Sequence, residues 1–160
     1  MIKKYNNVPL SPVVFSIEYV VSFLYFMIPF KMCLEDFIME QKTIKIERVV
    51  EKQHLASIMK SGSLDVLATP QMIAWMEEAA CLCLELEEGK TSVGTLMNVS
   101  HDMASPLGAT IEIHATLLKQ ENRKLVFEVQ AFQNGKSIGK GQHERFIVDA
   151  NRFLEKTYAK

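Results

Sequence analysis

Neither sign of charge is in excess in this chain: 18 Lys and Arg stand against 19 Asp and Glu, a formal net charge of -1 over 160 residues. No basic run occurs and no aromatic residues interleave with basic ones, which excludes a nucleic-acid surface. Cysteine is scarce. Cys33, Cys81 and Cys83 form an odd set without CxxC spacing, so no disulfide framework is indicated. Two apart on a helix, Cys81 and Cys83 point to different sides; they read as small buried apolar side chains of a reducing compartment, the cytoplasm. His54, His101, His114 and His143 show neither HxH nor HExxH spacing, so no metal-ligand set emerges, and no cofactor is implied. Internal repeats and low-complexity linkers are absent too.

Long apolar runs are missing with one exception, residues 8–30. Its length is roughly that needed to cross a bilayer, and Lys3, Lys4 and Lys31 flank it. Glu18 lies inside the run, Pro9, Pro12 and Pro29 crowd its ends, and no small-residue cleavage site follows. Three readings stand. The segment is a membrane anchor, which would tether the protein to a membrane. Or it is translated upstream sequence with Met39 as the true start. Or it is an ordered extension packed on the domain. The chain thus divides into an apolar extension, 1–38, and a self-consistent small domain, 39–160, with membrane contact only if residues 8–30 form an anchor.

From residue 43 the pattern is one strand, one long helix, then strands. Thr43 to Val50 alternates through Ile44 and Ile46, while Gln53 to Gly62 suits a short helix or a loop. Thr69-Pro70 predicts a helix start, with threonine as the cap and proline tolerated in the first turn. The helix is expected to run to about Glu88, with Gly89 as its stop. Val93 to Ser100 is strand-like, and Pro106-Leu107-Gly108 marks a turn. Thr110 to Leu118 alternates, with Ile111, Ile113, Ala115 and Leu117 on one face. After a turn at Glu121-Asn122, Leu125, Phe127, Val129 and Ala131 define a half-buried strand. Asn134-Gly135 is a hairpin signal, Ser137 to Val148 is the last strand, and Asn151 to Lys160 is a short helix or frayed tail. The class is α+β: an antiparallel sheet with one wet and one dry face around a nearly wholly apolar helix.

That helix carries one carboxylate out of place. At ~100° per residue, Gln71, Glu78 and Glu85 form a narrow polar stripe; Glu77 lies roughly 80–120° away, among Ile73, Ala74, Ala80, Cys81 and Leu84. A carboxylate on a buried apolar face is partnered, protonated or functional. Burial would raise its pKa and suit it to work as a general base or nucleophile. Alternatively it pairs with a buried arginine such as Arg145, or faces a second copy of the chain. Thr69 is a plain cap, or a hydroxyl placed to hold a substrate carbonyl or water. His101, at a strand end, is a proton-transfer group or an edge histidine. His143 and Arg145 share a strand face and Glu144 points the other way. These charges belong to a site, or they protect an exposed edge strand from aggregation. Gly94 interrupts a strand, which suggests a bulge or a ligand close to the backbone.

Three separated stretches resemble the fluoroacetyl-CoA thioesterase-like branch of the hotdog-fold thioesterases. They are LATPQMIAWMEEAAC from Leu67 to Cys81, SVGTLMNVSHDMASPLG from Ser92 to Gly108, and GQHERFIV from Gly141 to Val148. The resemblance spans roughly residues 43 to 150 in order and excludes the N-terminal segment. It implies a hotdog fold, a long helix wrapped by an antiparallel sheet, as a homodimer, with pairing of dimers left open. It implies an acyl-CoA substrate hydrolysed to free acid and CoA. Thr69, Glu77 and His101 match the family's catalytic residues, Gly94 its backbone contact to the acyl group, and His143, Glu144 and Arg145 its late His-Glu-Arg motif. In that scheme Glu77 is base or nucleophile, His101 moves a proton and Thr69 orients the carbonyl or the water. One departure stands out. The fluoroacetate-detoxifying member of that branch carries phenylalanines on a lid just before the threonine, whereas Lys60-Ser61-Gly62-Ser63-Leu64-Asp65 holds no aromatic residue. Selectivity for fluoroacetyl-CoA is therefore not carried over.

In an unbroken helix Thr69 and Glu77 would lie ~12 Å apart. Either the helix begins after Thr69, or one site draws residues from two protomers. Three rivals remain beside the thioesterase. A non-catalytic acyl-CoA-binding hotdog module would need neither Glu77 nor His101. A hydratase or dehydratase needs an Asp/His pair that is not found around His101 or His143. A membrane-tethered interaction protein leans wholly on the first 38 residues.

Overall fold

The computed structural model describes residues 42–159. Strand β1 (Thr43–Val49) leads through a 3-10 turn (Lys52–His54) and a short helix α1 (Ala56–Met59) to the main helix α2 (Thr69–Leu82). Then follow β2 (Lys90–Val99), β3 (Thr110–Glu121), β4 (Lys124–Gln133), β5 (Lys136–Asp149) and helix α3 (Ala150–Tyr158). The strands make one five-stranded sheet in the order β1-β3-β4-β5-β2, antiparallel at every pairing. The period-two alternation decides which face is dry. Ile111, Ile113 and Ala115 of β3 and Leu125, Phe127, Val129 and Ala131 of β4 are fully buried, packed with Met72, Trp75, Met76, Ala79 and Ala80 of α2. The β4–β5 hairpin turns on Asn134 and Gly135, both at positive φ (51° and 73°), as a tight turn matched to strand twist requires.

Three helix expectations need correction. Helix α2 stops at Leu82 rather than near Glu88. The following Glu85, Glu87 and Glu88 would place negative charge at a helix C-terminus, where the dipole disfavours it, and Lys42 draws Glu85 outward at 2.5 Å. Gly89 does adopt positive φ (78°), but in the turn before β2. Second, Ala68, not Thr69, is the N-cap, and no side chain caps this end. Third, α2 is not buried on all sides. One sheet covers one side of it, so Ala74, Cys81 and Leu82 are exposed, while Ile73, Glu77 and Glu78 are half-buried. Cys83 is buried as expected; Cys81 is not.

The tail is a helix, α3, capped by the Asp149 carboxylate accepting from the Arg152 amide at 3.0 Å. The extension 1–38 and the start at Met39 lie outside the described residues. Among those described, no helix is long and apolar enough to cross a membrane.

Candidate active site

Two adjacent carboxylates on α2 meet different fates. Glu78 is taken by Arg48 of β1 in a two-point ion pair. Glu77, one residue back and turned toward β2 and β5, accepts no hydrogen bond among the described residues. Its side chain is 43% exposed, because the face it shares with Ala74 and Cys81 is uncovered. This corrects the expectation of a desolvated carboxylate.

Beneath Glu77 lie His143 and Arg145. Both point inward from β5, which is flanked by β4 and β2 and so is not the edge strand that a charged run can signal. Their hydrogen bonds settle the protons. The His143 Nδ1–H donates to the Leu96 carbonyl at 2.8 Å, so Nε2 is bare and accepts from Arg145 Nη1 at 3.0 Å. Burial pushes the His143 pKa below its ordinary value, and the Arg145 charge adds to this; the Leu96 bond and Glu77 act the other way. A neutral His143 makes its 3.8 Å approach to Glu77 a contact rather than an ion pair. The charge beside Glu77 belongs to Arg145, at 3.9 Å. Arg145 is itself fixed, with Nε donating to the Ser92 hydroxyl and Nη2 to the Ser92 carbonyl, each at 2.8 Å. Glu144 faces the other way and pairs with Lys124 at 3.0 Å.

Gly94 closes this cluster. It sits opposite Arg145 where the β2–β5 register slips, as the bulge reading anticipated. A Cβ at Gly94 would come within 2.6 Å of Glu77 Oε1 and 3.2 Å of His143 Cε1. Only glycine lets the carboxylate lie against this strand.

The second cluster is at the N-terminus of α2. Freed from capping, the Thr69 hydroxyl bonds His101 Nδ1 at 2.8 Å. His101 Nε2 is buried without a partner among the described residues, and burial pushes the imidazole pKa down against the Met103 backbone and Asp102. Thr69 and His101 line a pocket of about 240 Å³ with Ala56, Val66, Leu67 and Met103.

Glu77, Gly94, His143 and Arg145 therefore come together, as do Thr69 and His101. The two groups stay apart, since α2 is helical from Thr69 onward and spaces Thr69 from Glu77 by ~12 Å. The alternative of a helix beginning after Thr69 is ruled out. Sequence reasoning missed Ser92, which orients Arg145. Its only signal was its place two residues before Gly94 on the same strand face.

A family model described as fluoroacetyl-CoA-specific thioesterase matches residues 50–151. The fluoroacetyl-CoA thioesterase of Streptantibioticus cattleyicolor is 36% identical over 98 residues, covering 60% of this chain and 70% of that protein. A solved fluoroacetyl-CoA thioesterase superposes with a TM-score of 0.72 at 29% identity, over 75% of this chain and 95% of its own. A hot-dog-like protein from Thermanaerovibrio acidaminovorans, at 18% identity and a TM-score of 0.68 over 74% of this chain and 89% of its own, shares the fold. The helix-on-sheet architecture is thus the hotdog fold, and the chain belongs to the fluoroacetyl-CoA-specific thioesterase family.

Proposed function

We propose that this chain hydrolyses acyl-CoA thioesters to a free acid and CoA, with Glu77 as base or nucleophile and Thr69 and His101 assisting. The observation that carries the reading is the Glu77 carboxylate. It holds no hydrogen bond among the described residues, lies against a strand that only glycine lets so close, and stands beside the fixed charge of Arg145. Glu77 as base takes a proton from water, the hydroxide adds to the thioester carbon, and the carbon–sulfur bond breaks. Backbone N–H groups near Gly94 or at the start of α2 hold the developing oxyanion. The proton that Glu77 took from water returns to the departing thiolate by way of His101, which is neutral and bonded to the Thr69 hydroxyl and so relays a proton rather than supplying one. A pure binding module would have no use for an open carboxylate and a proton-relay pair. The free thiols of Cys81 and Cys83 suit a reducing compartment such as the cytoplasm.

Thr69 and Glu77 of one chain do not reach one small acyl group together. Each site is accordingly built from Thr69 and His101 of one protomer and Glu77 of the other, with the open face of α2 turned to the partner. Mixing Thr69→Ala and Glu77→Ala proteins tests this. Random exchange should restore about a quarter of the wild-type rate of thiol release, since half the dimers are mixed and each holds one intact site. No recovery despite demonstrated exchange would refute the shared site.

A further inference from the structure

The pocket beside Thr69 and His101 is built from two walls that backbone bonds hold in place. One wall is the segment 55–67, which folds back on itself. The Ala56 amide donates to the Val66 carbonyl at 2.8 Å, the Ser57 amide to the Leu64 carbonyl at 3.2 Å, and the Ser61 amide to the Ala56 carbonyl at 3.0 Å. The other wall is the chain that leaves β2, where the Asp102 amide donates to the Ile138 carbonyl of β5 at 2.7 Å. The Leu67 amide ties the walls together by donating to the Ser105 carbonyl at 2.8 Å, and Val66 bridges Pro106. A cavity fixed in this way stands ready before a ligand arrives.

Its lining selects by polarity. Ala56, Val66, Leu67, Met103 and Ala104 make it largely apolar. Among the described residues no Lys or Arg lines it, and its one carboxylate, Asp102, accepts from the Ser100 hydroxyl at 2.6 Å. A carboxylate at the far end of an acyl chain would find no cation here and a like charge nearby, so a dicarboxylic acyl group is disfavoured. Its size selects by length. At ~30 Å³ per heavy atom, the liquid share of one water, about 240 Å³ holds about eight. An acetyl group would leave most of that space to water, whereas a hexanoyl group would nearly fill it. Met103, 37% exposed, places a flexible apolar side chain where the pocket opens, and Ala104 beside it is small. We infer that the acyl group taken here is an uncharged aliphatic chain of about six carbons, with Met103 and Ala104 setting its length. The inference rests on the acyl-CoA reading above and names the substrate class within it.

The test compares acetyl-, hexanoyl- and glutaryl-CoA by thiol release. A methylene taken wholly out of water is worth roughly fourfold, and one half covered in an open pocket about twofold. The extra methylenes of the hexanoyl chain should therefore raise kcat/KM about tenfold over acetyl-CoA, while glutaryl-CoA should fall about tenfold below hexanoyl-CoA. Ala104→Phe, at an exposed position, fills the space: hexanoyl-CoA should lose about tenfold and acetyl-CoA stay within about twofold of wild type. Met103→Ala removes apolar cover and should lower the hexanoyl-to-acetyl ratio about threefold. A wild type that treats the two esters alike or prefers acetyl-CoA would overturn the inference, as would a ratio unchanged in both variants. Should the wild type hydrolyse none of the three, the hydrolytic reading fails by itself, and calorimetry with the thioethers S-hexyl-CoA and S-ethyl-CoA decides the pocket. Tighter binding of S-hexyl-CoA that Ala104→Phe abolishes supports the assignment; equal binding, or none, overturns it.

Discussion

Substituting Gly94 by alanine is a local perturbation of the site with a calculable consequence. The new Cβ would sit 2.6 Å from Glu77 Oε1, well inside normal contact. The strand is held by ladders on the β5 side, so the half-exposed carboxylate is what yields, by roughly 0.5–1 Å. A displacement of that size at a reacting group costs about a hundredfold in rate, or about 2.7 kcal/mol of transition-state stabilisation. Folding should be spared: alanine is favoured over glycine inside a strand by roughly 0.5–1 kcal/mol, which offsets the contact. The assay is thiol release under saturating acyl-CoA beside a thermal melt. The expected result is a kcat down about a hundredfold with Tm within a few degrees of wild type. A rise in KM alone would mean that the Cβ blocks the acyl group instead. Gly94→Ala within twofold of wild type would refute the claim that Glu77 must lie against β2.

Thr69→Ala should reduce turnover about tenfold to a hundredfold while changing unfolding free energy by less than about 0.5 kcal/mol, because the hydroxyl bonds His101 and caps nothing. A loss of about 1 kcal/mol in urea unfolding, typical of a removed cap, would show the hydroxyl to be structural after all. His143 and His101 both have pKa values lowered from 6.5 by burial, so the unfolded chain binds their protons first as the pH falls. Their contribution to stability is complete above about 6.5 and declines as the pH drops from there toward the folded values. Urea midpoints should fall between pH 7.5 and 5.5, and less steeply in His143→Gln; a flat profile would contradict the buried neutral histidines.

What could be read in advance was whatever depends on one local period. Ile111 to Ala115 and Leu125 to Ala131 alternate because a sheet has two faces, and Asn134-Gly135 takes positive φ wherever a two-residue hairpin needs it. The end of α2 was hidden, because Leu84 and Leu86 prolong the apolar pattern while Glu85, Glu87 and Glu88 act against the helix only through its dipole. The open face of α2 was hidden for another reason: in sequence, exposed small and apolar residues such as Ala74, Cys81 and Leu82 look like residues buried in their own chain. Glu77, Gly94, His143 and Arg145 were each singled out, but their convergence depends on the slip between Gly94 and Leu96, which sets Gly94 opposite Arg145. Ser92 became visible as the holder of Arg145 only through that register. The separation of Thr69 from Glu77 followed from helical rise alone, once α2 proved unbroken.

The central claim is that the Glu77 carboxylate drives thioester hydrolysis, and Glu77→Gln tests it most directly, since the amide keeps the size and loses the charge. Thiol release should be followed over a panel of acetyl-, short branched, medium-chain and aryl-CoA esters, with the melting temperature as a control. The account predicts turnover of some member by the wild type and a drop of about 10²–10⁴-fold in the folded Glu77→Gln protein. Undiminished release by Glu77→Gln, or no release from any ester by a wild type that still binds them, would contradict it.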